Sequence, residues 1–573
     1  MSSTLVQPLT PSSSTKPASG GQRLDSLDIL RGFTVLLMIF VDEIGEAYPA
    51  LNHSPWDSVT LADFVMPWFL FMVGASLSIS LRKYRAARTN GSRVAFVRAL
   101  KLFFLGVLVQ GGGFPDSYSY GFNLSTIRWC GILNRIGFAY LMAALIELWV
   151  PERDMSVAGG TMATWPYGAS GTYPRRWPHA QVFSTQVWKW LAAASFVALH
   201  LMLTFFTPVP SWTSYYGFNA SLTPPGPALL SPQHAFTVHC DGVRGHIETP
   251  ECSAEGYYDR LLFGQDHLGV WMSRRLPECS SCAPGAPSDF YRPRACHWQP
   301  NATDSSGGGA NWCFAHMYDP EGALSTVPTV GSVWLGAHFG RVLRADGLAG
   351  RHRAILAHWA LFAACLIGGG LALHFTCLPM NKQLWSTSYL LFMAGTCGAA
   401  LALTYAMVDA KAGVDDEDGN GGGGGGGGGE AMHGMLYDGG IIASQPPREA
   451  ARGGRGAAAR RLQAAVRRLL YPLKAMGMNA ILFFFWHGPA EILINAVYVD
   501  PPTPGPADPA VLARPRASSA LLGVHGWVHE GLLHMALPGS TPQTRQLAFV
   551  LLKLIVYLAV AVACHRRRYF WKI

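Results

Sequence analysis

The sequence predicts an all-α polytopic membrane protein of about ten transmembrane helices, with one long disulfide-bearing loop on the luminal side. Three observations predict it. Of 573 residues, 50% are hydrophobic and only 14% are charged, against roughly 25% charged in an ordinary soluble domain. The apolar residues gather in runs close to the ~20 residues that a helix needs to cross a bilayer. The basic residues, which bring the net charge to +9, sit in short loops between those runs. This composition excludes a disordered chain, which needs low hydrophobicity. The placement of the basic residues favours a membrane surface over nucleic acid.

Ten runs qualify, near 27–45, 60–81, 94–112, 126–150, 187–207, 325–345, 353–377, 385–409, 472–498 and 546–565. The least apolar are 126–150, which carries Arg128 and Arg135, and 325–345, which is rich in Gly and Ser. A short His-containing patch at 519–537 reads as interfacial. Residues 1–23 are Ser/Thr/Pro-rich and read as a disordered cytosolic leader without a cleavable signal, faintly resembling a transit peptide. Residues 24–207 then hold spans one to five, with a loop at 42–60 that concentrates reactive side chains. An outer loop fills 208–324, spans six to eight fill 325–409, a Gly/Arg-rich cytosolic linker fills 410–471, and the last two spans and a basic tail fill 472–573.

Charge fixes the orientation. Arg82, Lys83, Arg85, Arg88 and Arg93 follow the second span, Arg341, Arg344, Arg351 and Arg353 follow the sixth, and Arg566, Arg567, Arg568 and Lys572 end the chain. All fall on the N-terminal side, whereas the loops 46–59 and 113–125 contain no Lys or Arg. The N-terminal side is therefore cytosolic. The long outer loop holds Cys240, Cys252, Cys279, Cys282, Cys296 and Cys313. An even set outside the cytosol reads as disulfides, in preference to a metal site at Cys279 and Cys282 with His297. Asn219 and Asn301 in that loop, and Asn123 in another, lie in glycosylation sequons. The glycine tract at 419–429 is a flexible linker.

Chemistry concentrates between Leu24 and Leu81. Asp28 and Arg31 share a helical face at the cytosolic start of the first span. Asp42 and Glu43 lie near its outer end, His53 follows in a short loop, and Asp63 begins the second span. Such charges are costly in an apolar layer and tend to face a cavity or each other. His53 with Asp42 or Asp63 can form a general base with its orienting carboxylate. His487, in GMNAILFFFWHGPAE, is an intramembrane histidine, with Glu491 four residues on. No nucleotide-binding glycine loop, dinucleotide fingerprint or serine elbow is present, and no metal is expected.

Five blocks carry a resemblance that spans nearly the whole chain. They are the Leu24–Leu81 segment with DILRG, NHSPW and LADFVMPWF; GYYDRLLFGQDHL from Gly256; YDPEGALST from Tyr318; NKQLWSTSY from Asn381 together with GMNAILFFFWH from Gly477; and the terminal RRRYFWKI. In this order they resemble the heparan-alpha-glucosaminide N-acetyltransferases, a family of lysosomal transmembrane acetyltransferases, in a plant or algal form expected to lack the animal enzymes' N-terminal luminal region. The resemblance implies a transmembrane acyltransferase that takes the acetyl group from cytosolic acetyl-CoA and delivers it to the amine of a luminal glucosamine-type acceptor. It places the active-site histidine at His53. It implies either a covalent acetyl-imidazole or direct transfer in a ternary complex. The animal enzymes carry an asparagine where this chain has Asp42, and an anionic Asp42 would stabilise a charged imidazole at His53.

On this reading His53 and Asp42 are catalytic, Asp63, His487 and Asn479 line the cavity, and Arg31, Arg98 and Arg135 are the candidates for the phosphates of acetyl-CoA. A lysosomal, vacuolar or other endomembrane and a homodimer are expected by the same resemblance. The competing expectation is a proton-coupled transporter or permease using the intramembrane His and Asp. A third is a member that keeps the fold and has lost the activity.

Overall fold

The computed structural model describes residues 24–45, 47–54, 56–111, 124–152, 182–219, 226–229, 235–248, 250–269, 315–343, 351–410, 454–487, 498–499, 522–523, 533–537 and 539–571. Five long helices come first: α1 Asp25–Ile44, α2 Val65–Ser80, α3 Arg88–Gly106, α4 Ile132–Trp149 and α5 Val187–Phe206. The outer segment contributes α6 Ala254–Phe263. After it come α7 Thr329–Val342, α8 His352–Thr376 and α9 Thr387–Val408. The C-terminal part holds α10 Gly454–Leu469, α11 Tyr471–Met478 with further helical turns over 480–487, and α12 Pro542–Arg566. The described parts of the ten apolar runs are largely helical, although the run near 472–498 is helical only as far as 487 and ends in a strand at Tyr498–Val499. Six segments among the described residues are long and apolar enough to cross a membrane: Leu61–Tyr84, Ile132–Trp149, Val187–Phe206, His352–Thr376, Thr387–Val408 and Gln543–Arg566. The chain is a helical membrane protein.

The run near 325–345 is weakly apolar for a visible reason. Its helix, α7, has 14 residues and buries every one except Arg341, so protein rather than lipid surrounds it. At 1.5 Å per residue it is only about 21 Å long. By contrast α5 and α12 turn rows of large apolar side chains outward, among them Trp188, Leu191 and Phe206, and Ile555, Val556 and Val560. That outward face is what a lipid-facing helix shows.

Glycines set the closest helix crossings. A methyl built on Gly32 would overlap the Leu473 carbonyl, and one on Gly477 would overlap the Asp28 carbonyl, so α1 and α11 touch backbone to backbone. The α2–α7 pair uses the same device at Gly74 and Gly336. Small residues at such crossings are the ordinary means of packing helices where lipid gives no hydrophobic drive.

Two findings depart from the sequence expectation. The segment 208–324, expected as a loop, carries short strands among its described residues. β1 Trp212–Ser214 pairs with β4 Phe236–Val238, and β2 Tyr216–Asn219 with β3 Gly226–Leu229, all antiparallel. The β-branched and aromatic residues of these short runs suit a pleated ribbon. Also, the expected linker ends in α10, a helix of 16 residues. Among the described residues, one disulfide, Cys240–Cys252, closes a 12-residue separation beneath the β1–β4 ribbon. Cys279, Cys282, Cys296, Cys313 and His297 lie outside the described residues, as do Asn301, Asn123, the glycine tract and Glu491. Asn219 ends β2.

Candidate active site

The His53 loop joins the outer end of α1 to α2, and its conformation is fixed by Asp63. Oδ2 of this carboxylate accepts hydrogen bonds from the backbone N–H of Ser54 and of Thr60, each at 3.1 Å. Asp63 and Thr60 form a reciprocal capping box at the start of the helix. Oδ1 lies 2.8 Å from Nδ1 of His53. Asp63 is wholly buried, while the His53 side chain keeps 23% of its surface open. With an ionised Asp63 the ring proton belongs on Nδ1 and Nε2, with Lys382 Nζ 3.5 Å away, is the unprotonated nitrogen; this tautomer is assigned from the Asp63 contact.

A second strand of chain clasps the loop from the start of α9. Lys382 Nζ lies 2.9 Å from His53 Nδ1 and 3.6 Å from Asp63 Oδ1. Asn381 donates from Nδ2 to Asp57 Oδ1 at 3.1 Å, Gln383 donates to Ser54 O at 3.3 Å, and the Tyr389 hydroxyl donates to the Asp63 carbonyl at 2.6 Å. Ser58 and Trp385 sit on either side of this junction in left-handed conformations, φ 88° and 52°. Non-glycine residues hold that conformation only when their surroundings over-determine it. The structure thus brings NHSPW and NKQLWSTSY, more than 300 residues apart, into one site.

The sequence candidates separate on inspection. Asp42 lies exposed at the outer end of α1, within reach of the Lys382 charge. Among the described residues no hydrogen bond joins Asp42 to His53, and the carboxylate beside its Nδ1 is that of Asp63. His487 pairs with Glu43 at 3.5 Å, beside Lys553, which donates to the same Glu43 oxygen at 2.5 Å. It belongs to a contact between α12 and the outer end of α1. Asn479 is not among the residues that line the cavity at Arg31 and Arg98. It is buried, donates to Tyr569 O and accepts from the Trp571 N–H, each at 3.1 Å, and so ties the C-terminal segment to α11.

Arg31 and Arg98 meet at a cavity of about 460 Å³ walled by Phe69, Val73, Tyr140, Phe484 and Trp571. Arg31 bonds Asp28 at 3.0 Å and Ser76 at 2.8 Å, and Arg98 lies 5.5 Å over the Tyr140 ring. Arg135 is not at this cavity. It is buried near the outer end of α4, donating to Pro320 O at 3.0 Å, Ser325 Oγ at 2.6 Å and Thr326 Oγ1 at 3.1 Å. Phe69 follows Asp63 by six residues, about 9 Å along a helix, so the cavity wall ends close to the His53 site.

The outer motifs build the roof. Arg128 grips Asp319 through two hydrogen bonds, 2.7 and 2.6 Å, and reaches Glu321 at 2.5 Å. The two oxygens of Asp259 accept from the N–H groups of Asp319 and Ala323 at 3.0 and 2.8 Å. Trp56, from the His53 loop, packs edge-on against Tyr318 with centroids 5.3 Å apart. Composition gave no hint of this network or of Lys382. The only signals were charged residues inside the GYYDRLLFGQDHL, YDPEGALST and NKQLWSTSY blocks.

Burial, and then the neighbouring Asp319, push the Asp259 carboxyl up to about 7 from an ordinary 3.8. Burial alone would raise Asp319 as well, but the Arg128 guanidinium beside it holds it below the usual range. Folded Asp259 therefore keeps a proton that the unfolded chain has released above about pH 4. Its stabilising contribution is full below that pH and is lost as pH rises towards 7. Amide exchange over 254–263, corrected for the intrinsic pH dependence, is expected to be slower at pH 5 than at pH 7.5. Asp259→Asn should flatten that difference.

Residues 23–217 match a family model described as heparan-alpha-glucosaminide N-acetyltransferase, catalytic. The chain is similar to that family. His53, Asp42 and Asp63 fall inside the matched region, whereas Lys382 falls outside it. The mouse heparan-alpha-glucosaminide N-acetyltransferase is 27% identical over 408 residues, 69% of this chain and 50% of that protein. The human protein of the same name is 27% identical over 429 residues, 71% of this chain and 51% of that protein. The chain spans about half the length of the curated relatives it matches.

Proposed function

We propose that the protein is a transmembrane acetyltransferase that moves an acetyl group from cytosolic acetyl-CoA to the amine of a luminal amino sugar. The observation that carries the proposal is the imidazole of His53, held 2.8 Å from a fully buried carboxylate and still open to solvent. An imidazole oriented through Nδ1 offers Nε2 as base or nucleophile. In a ternary complex Nε2 takes the proton from the acceptor amine as the amine attacks the thioester carbonyl and the CoA thiolate leaves. In the covalent route Nε2 itself displaces the thiolate, and the amine then attacks the acetyl-imidazole. Lys382 is a positioning residue in either route, fixing the ring and balancing Asp63.

The residues at the cavity fit the donor. Arg31 and Arg98 supply cations for phosphates, and Arg98, among the described residues, has an aromatic face and no carboxylate as partner. The apolar wall from Val73 to Phe69 runs from that end of α2 towards His53. Acetyl-CoA would supply the activated thioester. An endomembrane with an acidic lumen, such as a lysosome or vacuole, suits the proton on Asp259, and a homodimer is proposed from the family resemblance.

The second reading is a proton-coupled permease. It draws on the buried His338–His358 pair, whose Nε2 atoms lie 2.9 Å apart between α7 and α8. Sealed vesicles separate the two. Labelled acetyl-CoA is placed on the cytosolic face and glucosamine on the other, with native protein and His53→Ala compared after equal insertion is checked. Acetylated sugar opposite the donor, reduced about 100- to 10,000-fold in the variant, is the expected result. Product from both proteins would move the chemistry away from His53. No product from either across a panel of amino sugars would favour the permease, and proton flux would then be measured.

A further inference from the structure

Helix α10 takes no part in the acetyl-transfer chemistry, yet its surface is strongly patterned. Its sequence, GRGAAARRLQAAVRRL, contains five arginines and no acid. One face docks it. Gln463 donates to Val408 O at 3.1 Å and to Ala410 O at 2.6 Å, and Nε of Arg467 donates to Val408 O at 2.9 Å. These bonds satisfy carbonyls that the end of α9 leaves open, and Arg467 brings a cation to the negative pole of that helix. The orientation set by the basic loops makes this the cytosolic end of α9. α10 is therefore pinned where a spanning helix leaves the apolar layer.

Among the described residues, the remaining faces are patterned and exposed. At 100° per residue, Leu462, Val466 and Leu469 fall together, with Leu462 67% and Leu469 77% exposed. Arg461 and Arg468 form the adjoining stripe, and both are exposed. Exposed leucines beside arginines, at membrane level and with no carboxylate on the helix, match the interfacial layer of a bilayer in both polarity and charge. We propose that α10 binds the anionic phospholipid headgroups of the cytosolic leaflet. Leu462 and Leu469 enter the acyl boundary, and Arg461 and Arg468 meet the phosphates.

The test uses the full chain in nanodiscs of phosphatidylcholine alone or mixed with phosphatidylserine, and follows amide exchange over 460–469. Exchange is expected to slow about fivefold or more in the mixed discs. The slowing should fade at high salt and vanish in an Arg461→Glu/Arg468→Glu double variant, which leaves the docking residues Gln463 and Arg467 intact. Equal exchange in both discs would overturn the proposal. So would equal slowing in the charge-reversed variant, or slowing by soluble phosphate in neutral discs, which would mark a free-anion site instead of a lipid one.

Discussion

Asp63→Asn is expected to reduce acetyl transfer about 1,000- to 10,000-fold while leaving the protein folded and inserted. The side-chain oxygen of asparagine can still accept from the Ser54 and Thr60 N–H groups, so the loop keeps its shape. The amide nitrogen then faces His53 Nδ1 and donates to it. The ring proton moves to Nε2, and the nitrogen that must act as base or nucleophile loses its lone pair. Turnover should fall with the KM for acetyl-CoA unchanged, because Arg31 and Arg98, the proposed phosphate partners, line the cavity and Asp63 does not. Activity within threefold of native would remove Asp63 from the mechanism. Lys382→Met should lower kcat by a smaller factor, with partial recovery in Lys382→Arg, since a guanidinium restores the charge and not the geometry.

Gly477→Leu is expected to be the most damaging apolar substitution in the membrane region. No side chain fits at this crossing, because even a methyl would overlap the Asp28 carbonyl. α1 and α11 must separate, at a cost of about 1–3 kcal/mol or more. Separation also loosens Lys474 from Asp25, which lie 2.7 Å apart, and deforms the cavity that Gly477 lines. The check is thermal unfolding in detergent followed by size-exclusion chromatography. Gly368→Ala is the control, since nothing lies within 4 Å of a methyl there. A Gly477→Leu protein that melts with the native one would refute the close-contact account.

The helices were legible because lipid imposes long apolar runs, and six segments among the described residues are long and apolar enough to cross a membrane. α7 shows where that logic weakens: its neighbours are protein, so its composition drifts towards Gly and Ser. The His53 loop was legible as a cluster of reactive residues, yet the choice between Asp42 and Asp63 was not. Both lie near the imidazole in sequence, and only the turn built by Thr60 and Asp63 aims one of them at Nδ1. Lys382 was out of reach for another reason. Nothing local to residue 382 says that it will meet residue 53, since that contact is made by the packing of α9 against α2. Asn479 and Arg135 stand out as polar residues in apolar surroundings; Asn479 bonds backbone groups of Tyr569 and Trp571, and Arg135 bonds Pro320 O and the Ser325 and Thr326 hydroxyls.

The clasp on the His53 loop also sets an order of events during synthesis. Asn381 meets Asp57 across 324 positions of sequence, and Lys382 meets His53 across 329. At about 5–20 residues per second, a ribosome needs roughly 15–65 s to make the second partner after the first. For that interval the first spans are in the membrane with an unbraced imidazole loop. Lys474 reaches Asp25 later still, across 449 positions. A nascent chain released before residue 380 would hold every residue of the His53–Asp63 pair and none of the segment that clasps it, so quality control that recognises the unclasped loop would discriminate complete from incomplete chains.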